Sequence, residues 1–260
     1  MKWPLSEGSY AEVCVSEQRV ALITGSSSGI GAAVARRMAD AGLRVVVNSA
    51  SSVRAGEELA AALPDAVYVQ GDISDPADAR RIVETAVEAF GRLDILVNNA
   101  GRTRFIPLGD LPAAGPAVWR DIFDVNVFGT WQVITAAVPH LKATGAGSIV
   151  NISSVSGSRA MGSSIPYAVS KAAVDHMTRL LAATLGPDVR VNAVAPGLVD
   201  TAWYDGAQEV WEGSRDWITA NTPQRRVGTP EDVAEAVHAV AHAAYTTGEV
   251  LLVDGGRHLV

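Results

Sequence analysis

Short apolar runs alternate with longer amphipathic segments along most of the chain. The apolar runs have the length of buried strands, and several are rich in Val and Ile. They predict seven strands, at about residues 20–23, 45–47, 66–70, 93–97, 148–152, 189–194 and 249–253. Helical patterns lie between them, up to residue 41 after the first strand and then at about 54–63, 76–90, 119–142, 164–185 and 230–244. Strands that alternate with helices in this way imply βαβ units and a parallel sheet covered on both faces.

The length of 260 residues fits one large α/β domain, and no repeat, low-complexity tract or linker divides the chain. We therefore expect a single domain over residues 19–260. Residues 1–18 lack the pattern of a signal peptide and predict a flexible N-terminal arm, with docking onto a neighbouring subunit as the alternative. Residues 198–228 have weak periodicity and carry four aromatic side chains, at Trp203, Tyr204, Trp211 and Trp217.

Composition narrows the classes of function. The net charge of -7 and the pI near 5.2 argue against nucleic-acid binding, which needs clustered Lys and Arg. Cys14 is the single cysteine, which excludes an intramolecular disulfide and a cysteine-based metal site, and we predict no metal site. Since no apolar run approaches about 20 residues, we predict no membrane span and expect a cytoplasmic protein.

A glycine-rich loop follows the first predicted strand and opens the first helix. Its spacing is Gly-x-x-x-Gly-x-Gly, within Thr24–Gly31. Glycines allow a tight turn and close approach of the backbone, and the positive end of the helix can hold a pyrophosphate. The loop therefore predicts a dinucleotide site, with candidate contacts from Gly25, Ser27, Ser28, Gly29, Ile30 and Gly31.

The end of the second strand bears on the choice of dinucleotide. A site for NAD usually has an Asp or Glu here, which accepts hydrogen bonds from the adenosine ribose. This chain has Ser49 at that point, directly after Asn48. Further along come Ser51, Ser52 and Arg54, and no acid occurs before Glu57. Hydroxyls, an amide and a guanidinium suit a 2′-phosphate, so we predict NADP(H) in preference to NAD(H). The alternative for Arg54 is a solvated arginine at the start of a helix.

Two further strand ends carry polar residues where open α/β sheets bind ligands. Asp72 follows the third strand and is a candidate acceptor for the adenine amino group, with a turn or cap role as the alternative. Asn99, Ala100 and Gly101 follow the fourth strand, and we predict that they contact the cofactor. Asparagines at such positions also stabilise turns.

A tyrosine and a lysine lie four residues apart near the start of the helix predicted at 164–185. Tyr167 and Lys171 therefore lie on one helix face, one turn apart. A neighbouring cation favours the ionised form of a phenol, so the pair can supply a general acid or base near neutral pH. The alternative is that the tyrosine packs and the lysine is solvated.

These motifs, in this order, resemble those of the short-chain dehydrogenase/reductase family, in its single-domain class of roughly 250 residues. The resemblance covers about residue 19 to the C-terminus. It is carried by TGSSSGIG at 24–31, Asp72, NNAG at 98–101, Asn126 within Asp-Val-Asn-Val, Ile-Ser-Ser at 152–154, Tyr167-x-x-x-Lys171, and Pro196-Gly197 followed by Thr201.

The resemblance implies four catalytic residues and further cofactor contacts. Tyr167 would be the general acid or base, and Lys171 would lower its pKa and bind the nicotinamide ribose. Ser154 would hold the substrate carbonyl oxygen, with Ser153 as the competing choice. Asn126 would support a water-linked proton path to the lysine, with a helix-kink or packing role as the alternative. The implied cofactor contacts further along the chain are Ile73, Pro196, Gly197, Val199 and Thr201.

The resemblance also implies an architecture: a three-layer, Rossmann-like, doubly wound α/β fold with strand order 3-2-1-4-5-6-7. Residues 198–228 would be a lid over the substrate. A homotetramer or homodimer would form through the helices at 117–142 and 164–185.

The substrate is less constrained than the reaction. The chain is similar to 3-oxoacyl-[acyl-carrier-protein] reductases, which implies a carbonyl substrate, either a small molecule or an acyl thioester. The alternatives are an NAD-dependent alcohol dehydrogenase for a sugar, steroid or secondary metabolite, and a catalytically silent nucleotide-binding protein. The lid aromatics suggest a largely apolar pocket, with packing of the lid onto the body or a neighbouring subunit as the alternative. Arg102, Arg104 and Arg159 are candidates to receive a carboxylate or phosphate, with simple solvation as the alternative.

Overall fold

The computed structural model describes residues 18–260. The predicted N-terminal arm and Cys14 thus lie outside the described residues, apart from Gln18, whose Nε2 donates to the Gly42 carbonyl at 3.3 Å.

Seven parallel strands form one sheet in the order β3-β2-β1-β4-β5-β6-β7, which confirms the predicted fold class and strand order. The chain reverses direction across the sheet between β1 and β4, where ligands bind in folds of this kind. The strands are β1 (Val20–Ile23), β2 (Arg44–Ser49), β3 (Ala66–Gln70), β4 (Ile95–Asn98), β5 (Gly147–Ile152), β6 (Val189–Pro196) and β7 (Val250–Val253).

Helices cover both faces of the sheet, as near-continuous apolar strands require. They are α1 (Gly29–Asp40), α2 (Val53–Ala62), α3 (Pro76–Phe90), α4 (Pro116–Phe123), α5 (Thr130–Ala143), α6 (Ile165–Leu185), α7 (Gln208–Asn221) and α8 (Pro230–His242). One buried cluster joins α1 and α8 to the sheet, through residues such as Met38 and Val237. A second cluster joins α3, α5 and α6 to the opposite face, through residues such as Ile82 and Leu141.

The long helix expected at 119–142 is interrupted. A π-helix, Asp124–Gly129, separates α4 from α5. Its wider turn brings the Asn126 amide against the backbone of Arg102, which donates to Asn126 Oδ1 at 2.7 Å and accepts from Nδ2 at 3.0 Å. Hydrophobic periodicity did not reveal this change because a π-turn shifts the helical register without removing any apolar position.

The segment at 198–228, called the lid below, contains more structure than its sequence pattern indicated. It holds a short 3₁₀ helix, Ala202–Tyr204, and the 14-residue helix α7. Only Ile218 of α7 is buried, so the helix has a very narrow apolar face. That is the physical reason why periodicity in this segment was weak.

No helix within residues 18–260 is long and apolar enough to cross a membrane.

Candidate active site

A cleft of about 550 Å³ runs along the carboxyl ends of the strands and under the lid. This volume is typical of sites for small ligands. Of the predicted cofactor contacts, all but Gly31 and Arg54 line it, together with Ser154, Tyr167 and Lys171. The topology therefore brings into one cleft residues that lie up to about 175 positions apart in the chain.

The glycine loop is packed too tightly to accept side chains. A Cβ atom on Gly25 would lie 2.8 Å from the Ala100 Cα, and one on Gly31 would lie 2.5 Å from the Gly25 carbonyl oxygen and from Asn99 Nδ2. Gly31 is thus buried beneath the loop, where it sets how close the helix comes to the strand ends. Asn99 Nδ2 donates to the Thr24 and Gly25 carbonyls at 3.0 and 2.8 Å, which fixes the loop from below.

The N-terminus of α1 opens into the cleft. Its N-cap, Ser28, makes no side-chain cap hydrogen bond, and the first turn carries no acidic residue. The backbone N–H groups at this end are therefore left for a ligand, and with the helix dipole they favour an anion. These features fit the pyrophosphate of a dinucleotide.

The residues at the end of β2 have mixed roles. Asn48 is fully engaged within the protein, since its Oδ1 accepts from Gly25 N at 3.2 Å and its Nδ2 donates to the Val69 and Gly71 carbonyls. Ser49 Oγ lies 2.9 Å from the Tyr68 hydroxyl. Arg54 lies outside the cleft lining, exposed and 2.7 Å from Glu58, so the solvated alternative describes its position better.

Asp72 lies in the cleft lining, just beyond β3. Its Oδ1 accepts from both the backbone N and the hydroxyl of Ser74, so the predicted turn role is filled. Its backbone N donates to Asp78. A ligand contact would thus fall to the other carboxylate oxygen.

The Tyr167/Lys171 pair occupies the first turns of α6. Ser164 caps this helix, accepting from Tyr167 N at 3.4 Å. Lys171 is buried, and its Nζ donates to the Ile152 carbonyl at 2.8 Å and lies 5.7 Å from the centre of the Tyr167 ring. A Cβ atom on Gly101 would lie 3.7 Å from Lys171 Nζ, so the lysine ends beside the NNAG turn.

Burial governs the protonation of this pair. It raises the pKa of the Tyr167 phenol, and the nearby Tyr204 adds to the rise, whereas the Ser154 hydroxyl opposes it. Burial also lowers the pKa of Lys171 to about 8, against the charge of Asp175. We expected Lys171 to lower the pKa of Tyr167. The pKa is raised instead, because the cost of burying the phenolate dominates. At neutral pH the phenol carries its proton.

Ser154 and Ser153 point in different directions from the end of β5. Ser154 Oγ faces the cleft side and lies 3.2 Å from Ser156 Oγ, and its hydroxyl is close enough to Tyr167 to influence the phenol. Ser153 Oγ instead donates to the Lys171 carbonyl at 3.4 Å and bonds Asp175. This arrangement favours Ser154 over Ser153 as the partner of Tyr167.

Asn126 is buried behind the pair rather than in the cleft lining. Besides its bonds to Arg102, its Nδ2 donates to Ser170 Oγ at 2.9 Å, and Ser170 in turn donates to the Tyr167 carbonyl at 2.7 Å. Asn126 therefore positions the turn that holds the tyrosine.

The lid contributes an aromatic wall. Trp203 lies 6.1 Å from the ring centre of Tyr167, and Tyr204 packs on Phe105 at 5.5 Å and on Trp211 at 5.2 Å. Trp203 and Tyr204 line the cleft, whereas Trp211 packs on Tyr204 and does not line it.

The candidate arginines are separated by the fold. Arg102 lines the cleft but pairs with Asp121, which also binds Arg104 at 3.0 Å, and neither Arg104 nor Arg159 lines the cleft. Sequence reasoning missed Arg257, which does line it from the turn after β7. No local motif marks that residue, since only the sheet order places the end of the chain beside the lid.

Comparisons with known proteins identify the family of this chain. A family model described as enoyl-(acyl carrier protein) reductase matches residues 25–258. A protein of Streptomyces violaceoruber named as ketoacyl reductase 2 of the granaticin polyketide synthase is 62% identical, over 94% of this chain and 98% of that one. The cis-4-hydroxycyclohexanecarboxylate dehydrogenase of Sinomonas cyclohexanicum is 37% identical, over 92% and 96% respectively.

A solved structure is also similar throughout. It is described as a short-chain dehydrogenase/reductase from Burkholderia xenovorans, and it superimposes with a TM-score of 0.86 at 36% identity, covering 94% of this chain and 100% of that one. This chain therefore belongs to the short-chain dehydrogenase/reductase family and is an oxidoreductase that acts on CH–OH groups and their carbonyl counterparts with NAD(P).

Proposed function

We propose that this protein reduces a ketone to a secondary alcohol with NADPH, and that Tyr167 donates the proton. The observation that carries the proposal is the meeting of a protonated phenol, the Ser154 hydroxyl and buried Lys171 beside the NNAG turn. A nicotinamide cofactor, when bound, supplies the hydride.

The side chains would divide the remaining work among them. Ser154 and Tyr167 donate hydrogen bonds to one carbonyl oxygen, where negative charge develops during reduction. Tyr167 then gives its proton to that oxygen. Lys171 stabilises the resulting phenolate by its charge, and Asn126 holds the turn that carries the tyrosine through Ser170.

For the cofactor, we propose Gly25, Ser27–Ile30 and Thr201 around the pyrophosphate and nicotinamide side, and Asp72 and Ile73 at the adenine side. The preference for NADPH rests on the wall formed by residues 48–52, which offers three serine hydroxyls and no carboxylate to repel a 2′-phosphate. The Asn48 amide is already occupied within the protein and does not add to it. Arg54 no longer supports this preference.

For the substrate, we propose a ketone of the polyketide type, free or as an acyl thioester. The 62% relative named as a ketoacyl reductase supports this class, as does the aromatic wall of the lid. A second candidate is oxidation of a cyclic alcohol with NAD, favoured by the similarity to a hydroxycyclohexanecarboxylate dehydrogenase. We set aside a catalytically silent protein because all four tetrad residue types are present.

The test follows oxidation of NADPH on a panel of aryl ketones, cyclic ketones, 3-oxoacyl thioesters and one enoyl thioester. We expect turnover of ketones, and a loss of at least about 1000-fold in kcat for Tyr167→Phe, with cofactor binding kept. Turnover of the enoyl thioester alone, or near-normal ketone reduction by Tyr167→Phe, would contradict the proposal.

We also propose that the protein is a homotetramer or homodimer through the faces of α5 and α6 and the π-helix. Large apolar side chains are exposed there, among them Phe128, Trp131 and Leu180, which are 54%, 47% and 57% exposed. Large apolar side chains that stay this exposed indicate an interface. Sedimentation velocity should give a dimer or tetramer for the native chain and a smaller species for Trp131→Glu; a monomeric native chain would contradict this.

A further inference from the structure

Arg257 follows the turn after β7 and extends into the substrate end of the cleft. Its side chain is half-buried and lines the cleft with Trp203, Tyr204 and Ser214. The guanidinium lies over the ring of Trp217, 5.6 Å from its centre. Tyr204 lies within electrostatic range of both Arg257 and Tyr167, so the arginine and the proposed proton donor flank the same aromatic side chain.

Within residues 18–260, the guanidinium of Arg257 makes no hydrogen bond or ion pair, and its Nε is buried with no partner. The other cations of the cleft lining are engaged: Arg102 pairs with Asp121, and Lys171 donates to the Ile152 carbonyl. A buried donor without a partner costs free energy unless a ligand supplies an acceptor. Arg257 is therefore the cleft cation that is left for a substrate.

Asp254, whose charge acts on Arg257, forms its hydrogen bonds to other groups. Asp254 accepts from Gly256 N at 3.0 Å, from His258 N at 2.8 Å and from His258 Nδ1 at 2.9 Å. These bonds shape the turn, and the Gly255 carbonyl accepts from Gln224 N at 3.1 Å, so the turn is attached to the end of the lid. The arginine is thus positioned by the backbone rather than by an ion pair.

The surroundings select the type of anion. The guanidinium lies over the Trp217 ring, and burial lowers the pKa of Arg257, so the site is partly desolvated. A single planar guanidinium in such a site matches a carboxylate, which it binds through two parallel hydrogen bonds.

We propose that Arg257 binds a carboxylate on the substrate, so that the protein takes ketones that carry a free carboxylate at the end remote from the reacting carbonyl. The apolar body of the substrate would lie against Trp203 and Tyr204. This inference rests on the proposed ketone reduction for its orientation, because it places the carbonyl at Tyr167.

The experiment compares each keto acid with its own methyl ester. Two pairs of different span are used: 4-acetylbenzoate and methyl 4-acetylbenzoate, and 4-oxo-4-phenylbutanoate and its methyl ester. We expect the native protein to prefer the acids, and Arg257→Met to lower kcat/KM about 10- to 100-fold for the acids but less than about threefold for the esters. Arg257→Lys keeps the charge but not the planar fork and should lie between them.

Arg215→Met is the matched control. Arg215 also lies on the lid side, in α7, but it pairs with Asp216 and does not line the cleft, so its removal should affect acids and esters equally and slightly. Thermal unfolding of each variant detects a general loss of structure.

A binding measurement separates this inference from the proposed reaction. The acids should bind more tightly to the native protein than to Arg257→Met, as measured by quenching of tryptophan fluorescence. This difference should hold even if no ketone is turned over. An equal fall in kcat/KM for acid and ester in Arg257→Met would overturn the inference. Equal affinity of both proteins for the acid would also overturn it.

A third comparison uses a phosphopantetheine thioester and the N-acetylcysteamine thioester of the same acyl group. If Arg257→Met lowered kcat/KM selectively for the phosphopantetheine thioester, the anion bound by Arg257 would be a carrier phosphate. That result would overturn the proposal of a substrate carboxylate.

Discussion

The two halves of the cleft are built in different ways. In the cofactor half, side-chain amides bond directly to backbone atoms: Asn48 holds Gly25 N and two carbonyls of the β3 edge, and Asn99 holds Thr24 and Gly25. In the substrate half, the lid rests on aromatic contacts, and α7 buries only Ile218. The first half specifies backbone positions, whereas the second presents side chains on a lightly packed helix. A cofactor that is shared by many enzymes needs fixed backbone positions. A particular substrate needs side chains presented on a lightly packed helix.

Glycine substitutions test this contrast most strongly. Gly31→Ala would place a Cβ 2.5 Å from the Gly25 carbonyl oxygen, a backbone atom that cannot move without disturbing the loop. We expect cofactor affinity to fall by more than about 100-fold, since overpacking forces backbone shifts. The measurement is cofactor titration by fluorescence, with circular dichroism as the check that the fold persists.

Gly213→Ala is the matched control in the lid helix. Apart from its chain neighbours and the backbone of its own helix, no atom of residues 18–260 lies within 4 Å of a Cβ at Gly213. Alanine is also the better helix former by about 1 kcal/mol. Affinity and turnover should therefore stay within about twofold of the native values. If the two variants behaved alike, the proposed difference in packing between the halves would not hold.

The same contrast explains how far the sequence could be read. The alternation of strands and helices, the glycine loop and the NNAG turn follow from strong local signals, namely buried β-branched runs and glycines at fixed spacing. The sheet order followed only from the family resemblance. The π-helix at Asp124–Gly129 leaves no such signal, and neither does the arrival of Arg257 under the lid. The partial burial of Tyr167 could not be predicted either, because it depends on lid residues more than 30 positions away.

The cofactor preference can be tested at the wall that ends β2. Ser49→Asp would introduce a carboxylate beside the proposed 2′-phosphate, while Ser49→Asn changes size and hydrogen bonding without charge. Relative to the Asn variant, we expect Ser49→Asp to lower kcat/KM with NADPH about 10- to 100-fold, because like charges repel in a partly desolvated site. The value with NADH should fall much less.

Native enzyme that already favours NADH would contradict the NADPH preference outright. An equal loss with both cofactors in Ser49→Asp would instead indicate damage to the Ser49–Tyr68 contact, which is 2.9 Å long.

The smallest expected effect concerns Lys171, where the two halves meet. Its pKa of about 8 in the folded protein lies below the ordinary lysine value of 10.5, because burial disfavours its charge. Between these two pH values the unfolded chain holds a proton that the folded chain has released, so the free energy of unfolding rises with pH. From pH 8 to 9.5 the increase from this residue should be about 1.5 kcal/mol.

Urea unfolding of the native chain and of Lys171→Met at both pH values isolates this contribution. Between the two pH values, the free energy of unfolding of Lys171→Met should rise by about 1.5 kcal/mol less than that of the native chain. Lys142→Met removes an exposed lysine and should show the native dependence on pH. Equal slopes for the native chain and Lys171→Met would mean that Lys171 keeps an ordinary pKa. The lysine would then hold its full charge well above pH 8, and burial would not be what sets the protonation of the Tyr167/Lys171 pair.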